Sequence, residues 1–79
     1  MNLTPRSLEI FLAYAKDACN WSGTPCLGAN VPFSKEDRGN LTQLKRAGLV
    51  TTEKSDGLEW MTFTLEGRKL AAKHGVEIS

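Results

Sequence analysis

The side chains that could do covalent or metal chemistry are few: Cys19, Cys26 and the single histidine, His74. A thiol nucleophile needs a positioned base, and one histidine at the end of a helical stretch is better explained as a partner for the negative end of the helix dipole. Two thiols supply half of a tetrahedral zinc shell, and a single histidine does not complete it. In a reducing compartment the two cysteines act as small buried hydrophobes rather than as a disulfide. The carboxylates form no pair at catalytic spacing, and the glycines form no phosphate-cradling loop. The expectation is a protein without catalysis, metal or cofactor.

The remaining chemistry is recognition. The net charge is only +1, too small to draw the chain to polyanions at long range, so an electrostatic argument must rest on local clustering. Residues 1 to 33 are neutral, with Arg6 and Lys16 against Glu9 and Asp17. Residues 34 to 50 carry Lys35, Arg38, Lys45 and Arg46 against Glu36 and Asp37, a surplus of two positive charges, and residues 51 to 79 come to −1. At about 100° per residue around a helix axis, Asp37, Leu41, Leu44 and Gly48 fall on one side. Lys35, Arg38, Thr42 and Arg46 fall on another, with Gly39 and Gln43 beside them. Lys and Arg neutralise phosphates, Arg can grip guanine with two hydrogen bonds, Gln suits adenine, and a glycine lets a helix settle into a groove. Any amphipathic helix also carries a charged solvated face, so the stripe alone does not separate recognition from solvation.

The elements that must hold this stripe are legible from local signals. Thr4-Pro5 starts a helix, because Thr caps an orphan amide and Pro surrenders an N–H that has no partner. Leu8, Phe11, Leu12, Ala15, Ala18 and Cys19 then recur at three- and four-residue spacing, which predicts one buried face and an end near Cys19. From Asn20 to Phe33, Gly23, Pro25, Gly28 and Pro32 interrupt the apolar residues and allow at most one short turn around Pro25 to Ala29. Ser34 and Asp37 have capping-box spacing and predict a central helix from Ser34 to Gly48, the glycine suiting the left-handed position after a helix. Leu49 to Glu53 and Leu58 to Thr64 favour strand, with Lys54-Ser55-Asp56-Gly57 as the turn of a hairpin. Met61 and Phe63 then share one face of the hairpin, and Trp60 and Thr62 the other. Thr64 caps a last helix from Leu65 to His74, ended by Gly75. Trp21 and Trp60 are core candidates by size. Trp60 lies opposite the Met61 and Phe63 face, so a tryptophan at the surface would mark a dimer or partner contact.

The run Leu41-x-x-Leu44-x-x-x-Gly48-Leu49-Val50, then Asp56-Gly57, then Phe63-Thr64-x-x-Gly67-x-x-Leu70 resembles the recognition helix, wing and following helix of winged helix-turn-helix proteins, notably MarR-like repressors. The resemblance covers about residues 34 to 75. Two departures accompany it: the broken stretch from Asn20 to Phe33 stands where those proteins have a second helix, and the long dimerising terminal helices are missing. The chain is thus closer to small stand-alone winged helices of phages and plasmids. The resemblance implies an α+β winged helix-turn-helix of three helices and a two-stranded wing, forming a single domain over 1–79. It also implies a sequence-specific duplex DNA-binding regulator, in which Lys35, Arg38, Gly39, Thr42, Gln43 and Arg46 contact DNA and Lys54 does so from the wing. One module offers few contacts, so a homodimer is expected. The wing argues the other way, because Glu53, Asp56 and Glu59 outnumber Lys54 and phosphate repels them. The rival expectation is a winged-helix protein-interaction module or adaptor without DNA binding.

Size and composition agree with one small domain. A chain of 79 residues buries roughly 60% of its unfolded surface around one thin core, and 41% apolar with 24% charged residues is globular composition. No apolar run near the N-terminus has the length of a signal peptide or a membrane span, so a cytoplasmic protein without membrane contact is expected.

Overall fold

The computed structural model describes residues 3 to 78. It is α+β, with three α-helices and one antiparallel two-stranded hairpin. Helix α1 spans Pro5–Asp17 and continues into a 3₁₀ turn, Ala18–Trp21. Helix α2 spans Asp37–Arg46, strand β1 Val50–Ser55, strand β2 Leu58–Phe63 and helix α3 Leu65–Lys73.

Helix α1 begins where Thr4-Pro5 predicts, with the Thr4 hydroxyl accepting the Ser7 N–H at 3.1 Å. Its buried face is Ile10, Phe11, Tyr14, Ala15 and the following Ala18, rotated from the face expected through Leu8, Leu12 and Cys19. Leu8 and Leu12 are half-buried at its margin and Cys19 is exposed. The rotation has a polar cause. The Tyr14 hydroxyl donates to the Val31 carbonyl and accepts the Gly28 N–H, both at 3.0 Å, so a tyrosine can be buried there without an orphaned oxygen. Burial pushes its phenol above the usual range, partly offset by the Gly28 N–H. The helix gives way to the 3₁₀ turn at Ala18, which brings Cys19 to the outside.

The segment from Ser22 to Glu36 forms no helical turn; the one allowed around Pro25 to Ala29 is absent. Instead Cys26 bridges Trp60 on the free edge of β2, with Leu27 N–H bonded to Glu59 O and Met61 N–H to Pro25 O, both at 2.9 Å. The hairpin therefore gains a short third edge. Asp17 holds the rest of the segment: its carboxylate accepts Asn20 Nδ2 and Asn30 Nδ2 at 3.0 Å and the Trp21 indole N–H at 2.9 Å. Burial works against that charge, and the three hydrogen bonds outweigh it and hold the carboxyl below its ordinary range.

Helix α2 starts three residues later than Ser34. Asp37 takes the Ser34 N–H and hydroxyl at 3.0 Å, but the Ser34 hydroxyl oxygen caps no amide in return, the Asp37 N–H going to the Ser34 carbonyl at 3.1 Å, so only half of the capping box forms. At the other end Leu49 N–H reaches Leu44 O at 3.1 Å and Gly48 N–H reaches Lys45 O at 3.0 Å. Gly48 has φ +75°, and a residue with a Cβ would be strained in that left-handed conformation. The strand β1 then follows immediately.

The hairpin pairs Val50 with Phe63, Thr52 with Met61 and Lys54 with Glu59 on one face, and Thr51 with Thr62, Glu53 with Trp60 and Ser55 with Leu58 on the other. The turn is the two residues Asp56 and Gly57, both at positive φ (55° and 76°). That geometry matches strand twist. Lys54 and Ser55, expected in the turn, are strand residues. Val50, Met61 and Phe63 join the core with Leu41, Leu44, Leu49 and α1; Phe11 and Phe63 meet edge-on at 5.6 Å. Helix α3 docks tightly onto this junction. Thr64 caps it by accepting the Gly67 N–H at 3.0 Å. A Cβ on Gly67 would stand 2.1 Å from the Leu49 carbonyl oxygen, so only glycine allows that approach.

Candidate nucleic-acid interface

Helix α2 buries Asp37, Leu41 and Leu44, the side expected from its periodicity. A carboxylate on that side must be paired, because burial penalises an isolated charge. Arg6 of α1 supplies the partner through two parallel contacts, Nε to Oδ1 at 3.2 Å and Nη2 to Oδ2 at 3.1 Å. The Arg6 guanidinium, followed by the Ser34 N–H, holds the Asp37 carboxyl far below the usual carboxylate range. Arg6 also pairs with Glu9. Three further bonds tie α2 to the start of α1: the Ser7 hydroxyl to Asn40 Oδ1 at 3.0 Å, the Thr4 hydroxyl to the same oxygen at 3.4 Å, and the Thr4 N–H to Gln43 Oε1 at 2.9 Å.

The consequence is electrostatic. Asp37 is the only acidic residue within α2, and it is neutralised inside the protein. The exposed arc of the helix presents Arg38, Gly39, Thr42, Lys45 and Arg46. Gly39 has open space where a side chain would stand, with nothing within 4 Å. Thr42 donates its hydroxyl to the Arg38 carbonyl at 3.0 Å, leaving the oxygen lone pairs outward.

Three expected contact residues are placed differently from the sequence reading, Lys35 and Gln43 on the helical stripe and Lys54 in the wing. Lys35 is exposed, but it lies in the turn before α2 because the helix begins at Asp37. Gln43 is half-buried and its carbonyl oxygen is occupied by Thr4, which removes the acceptor half of a bidentate adenine contact. Lys54 lies in β1 directly across from Glu59, whose charge opposes its own.

Arg38 is also engaged. Its Nη1 meets Glu59 Oε1 at 2.9 Å, and its guanidinium carbon sits 5.4 Å from the Phe33 ring centroid. The Arg38 side chain is 58% exposed and that of Glu59 12%, so the acid is the enclosed partner and the arginine keeps an open side. The pair joins α2 to β2 and orients the guanidinium in a way that the sequence could not reveal.

Lys45 was missed as a site residue, although its position was readable: seven residues after Arg38, it falls within about 20° of it around the helix. Arg6, Asp37 and Glu59 were missed as the charges that shape the site, because their partners lie 21 to 31 residues away.

Among the described residues no group of His, Cys, Asp and Glu is placed to hold a metal ion, and no helix is long and apolar enough to cross a membrane. Comparison with known proteins gives no match: no protein-family model, no curated protein and no solved structure is similar to this chain.

Proposed function

We propose that this chain is a small winged helix that binds duplex DNA with α2 in the major groove, and that it acts as a dimeric transcriptional regulator. The observation that carries the reading is the exposed arc of α2, on which Arg38, Lys45 and Arg46 stand with no free carboxylate. Cations on one helix face neutralise phosphates, and a helix of this width fits the major groove. The element order supports the reading: a helix ending at Gly48 leads directly into the hairpin, and α3 closes it. Thr42 lies near the centre of the arc, where a base edge would come closest, and Gly39 lies at its edge in the first turn of the helix. A single module makes few contacts, which is why a second copy is part of the proposal.

The test is fluorescence anisotropy of a labelled random duplex across a salt series. Affinity should fall steeply as salt rises, and Arg46→Ala should weaken all sequences alike and reduce the salt slope by about 1, with the melting temperature unchanged. Absence of binding at the lowest salt would overturn the proposal. That result would favour the second reading, a protein-interaction module without DNA binding, for which the exposed Glu53 and Asp56 on the hairpin are the supporting observation.

A further inference from the structure

The face of the hairpin turned away from Arg38 and Glu59 has a chemistry of its own. It carries Thr51, Glu53, Ser55, Leu58, Trp60 and Thr62. Leu58 is 48% exposed, and Trp60 is only half-buried. Trp21, also half-buried, meets Trp60 edge-to-face at 5.5 Å with an interplanar angle of 73°. Both indole N–H groups are already used: Trp21 donates to Asp17 at 2.9 Å and Trp60 to the Ser55 carbonyl at 3.4 Å. What these rings offer outward is therefore π-face and apolar edge, not hydrogen bonding.

The charge on this surface has one sign. Glu53 stands directly across from Trp60, and Asp56 is in the adjoining turn. Among the described residues neither makes an ion pair. The only cation of the hairpin, Lys54, alternates onto the other face, opposite Glu59. An aromatic surface beside an unpaired carboxylate is the complement of a guanidinium or ammonium group on an apolar stem. The ring quadrupole attracts the cation, the carboxylate pairs with it, and Leu58 takes the aliphatic part. The same carboxylates repel a phosphate backbone.

We propose that the Trp21, Leu58 and Trp60 surface, with Glu53, is a docking site for a basic segment of a partner protein, one that alternates arginine or lysine with apolar residues. The site does not use α2, so it stands whether or not the duplex reading does.

The chain has two tryptophans, and both lie in this surface, so tryptophan emission excited selectively over that of the buried Tyr14 reports on it alone. The probe is a short peptide of alternating arginine and leucine. Controls are the same peptide with glutamate for arginine, and oligothymidylate. The arginine peptide should change tryptophan emission saturably, and neither control should. Glu53→Gln should weaken binding about threefold, the size of an exposed ion pair. Trp60→Leu, which keeps apolar bulk but removes the π-face, should weaken it about tenfold. Arg46→Ala should leave it unchanged. The exposed Glu53→Gln variant and the unmodified chain decide the matter even if Trp60→Leu fails to fold. The proposal is overturned by no saturable change, by an equal response to the glutamate peptide, by an equal response to oligothymidylate, or by indifference to Glu53→Gln. Labelled duplex, followed by its own anisotropy, separates the two proposals: a chain that takes the peptide but no duplex loses the DNA reading alone.

Discussion

The segment from Ala18 to Glu36 and the segment from Asp37 to Lys73 are both folded, but different forces hold them. The second is held by its own backbone ladders and by apolar contact, with Leu41, Leu44, Leu49, Met61, Phe63 and Ala71 all in one core. The first has no long element. Hydrogen bonds between its own groups and Asp17, Tyr14 and Asp37 hold most of it, and the bridge at Cys26 fastens it to β2. A chain this short cannot bury enough apolar surface to fix every segment that way. The difference shows that satisfied buried polar groups can position an irregular stretch where apolar residues are too few.

Core truncation should have the largest effect. Leu44→Ala removes a side chain with no exposed surface from the last turn of α2 and should cost about 2–5 kcal/mol. One cooperative thermal transition at a lower temperature is expected, with both segments lost together. Separate transitions for the two segments would break the comparison, because they would then be independent structures.

Asp17→Ala should be milder and local. It deprives Asn20, Trp21 and Asn30 of their common acceptor, at a cost of about 1–3 kcal/mol. Amide exchange should accelerate between Ala18 and Val31 while β1, β2 and α3 stay protected. Equal acceleration in the hairpin would mean that the polar bonds support the core as much as the segment.

Acid should produce the smallest change until low pH is reached. Asp17 and Asp37 both have carboxyls held below their ordinary value of 3.8. A carboxylate depressed on folding stabilises the protein above that ordinary value, and this stability is lost as pH falls towards the folded one. The melting temperature should therefore stay level from neutral pH down to about 5 and decline below about 4. Asp37→Asn should shallow the decline, since the amide cannot be protonated in that range; an unchanged slope would show that the Arg6 and Asp37 pair does not govern acid stability.

These contrasts also explain what could be read in advance. The Thr4 and Thr64 caps, the stop at Gly48, the buried Leu41 and Leu44, and the division of Met61 and Phe63 from Trp60 and Thr62 all depend on neighbours within a few residues, where periodicity and stereochemistry act directly. The late start of α2 at Asp37, the rotation of α1 onto Ile10 and Tyr14, the extension of β1 through Ser55, and the edge formed by Cys26 were not legible. Each is settled by competition among partners that local pattern does not rank.

The candidate site divides the same way. The amphipathic sequence of α2 by itself determined that Arg38, Thr42 and Arg46 stand outside and Leu41 and Leu44 inside, because helical spacing alone separates them. Only the tertiary structure decided that Gln43 is tied to Thr4, that Arg38 is shared with Glu59, that Asp37 is silenced by Arg6, and that Trp21 meets Trp60. Those outcomes require groups up to 39 residues apart to converge. Convergence is a property of how the helices and hairpin pack, and no repeat or spacing within one element encodes it.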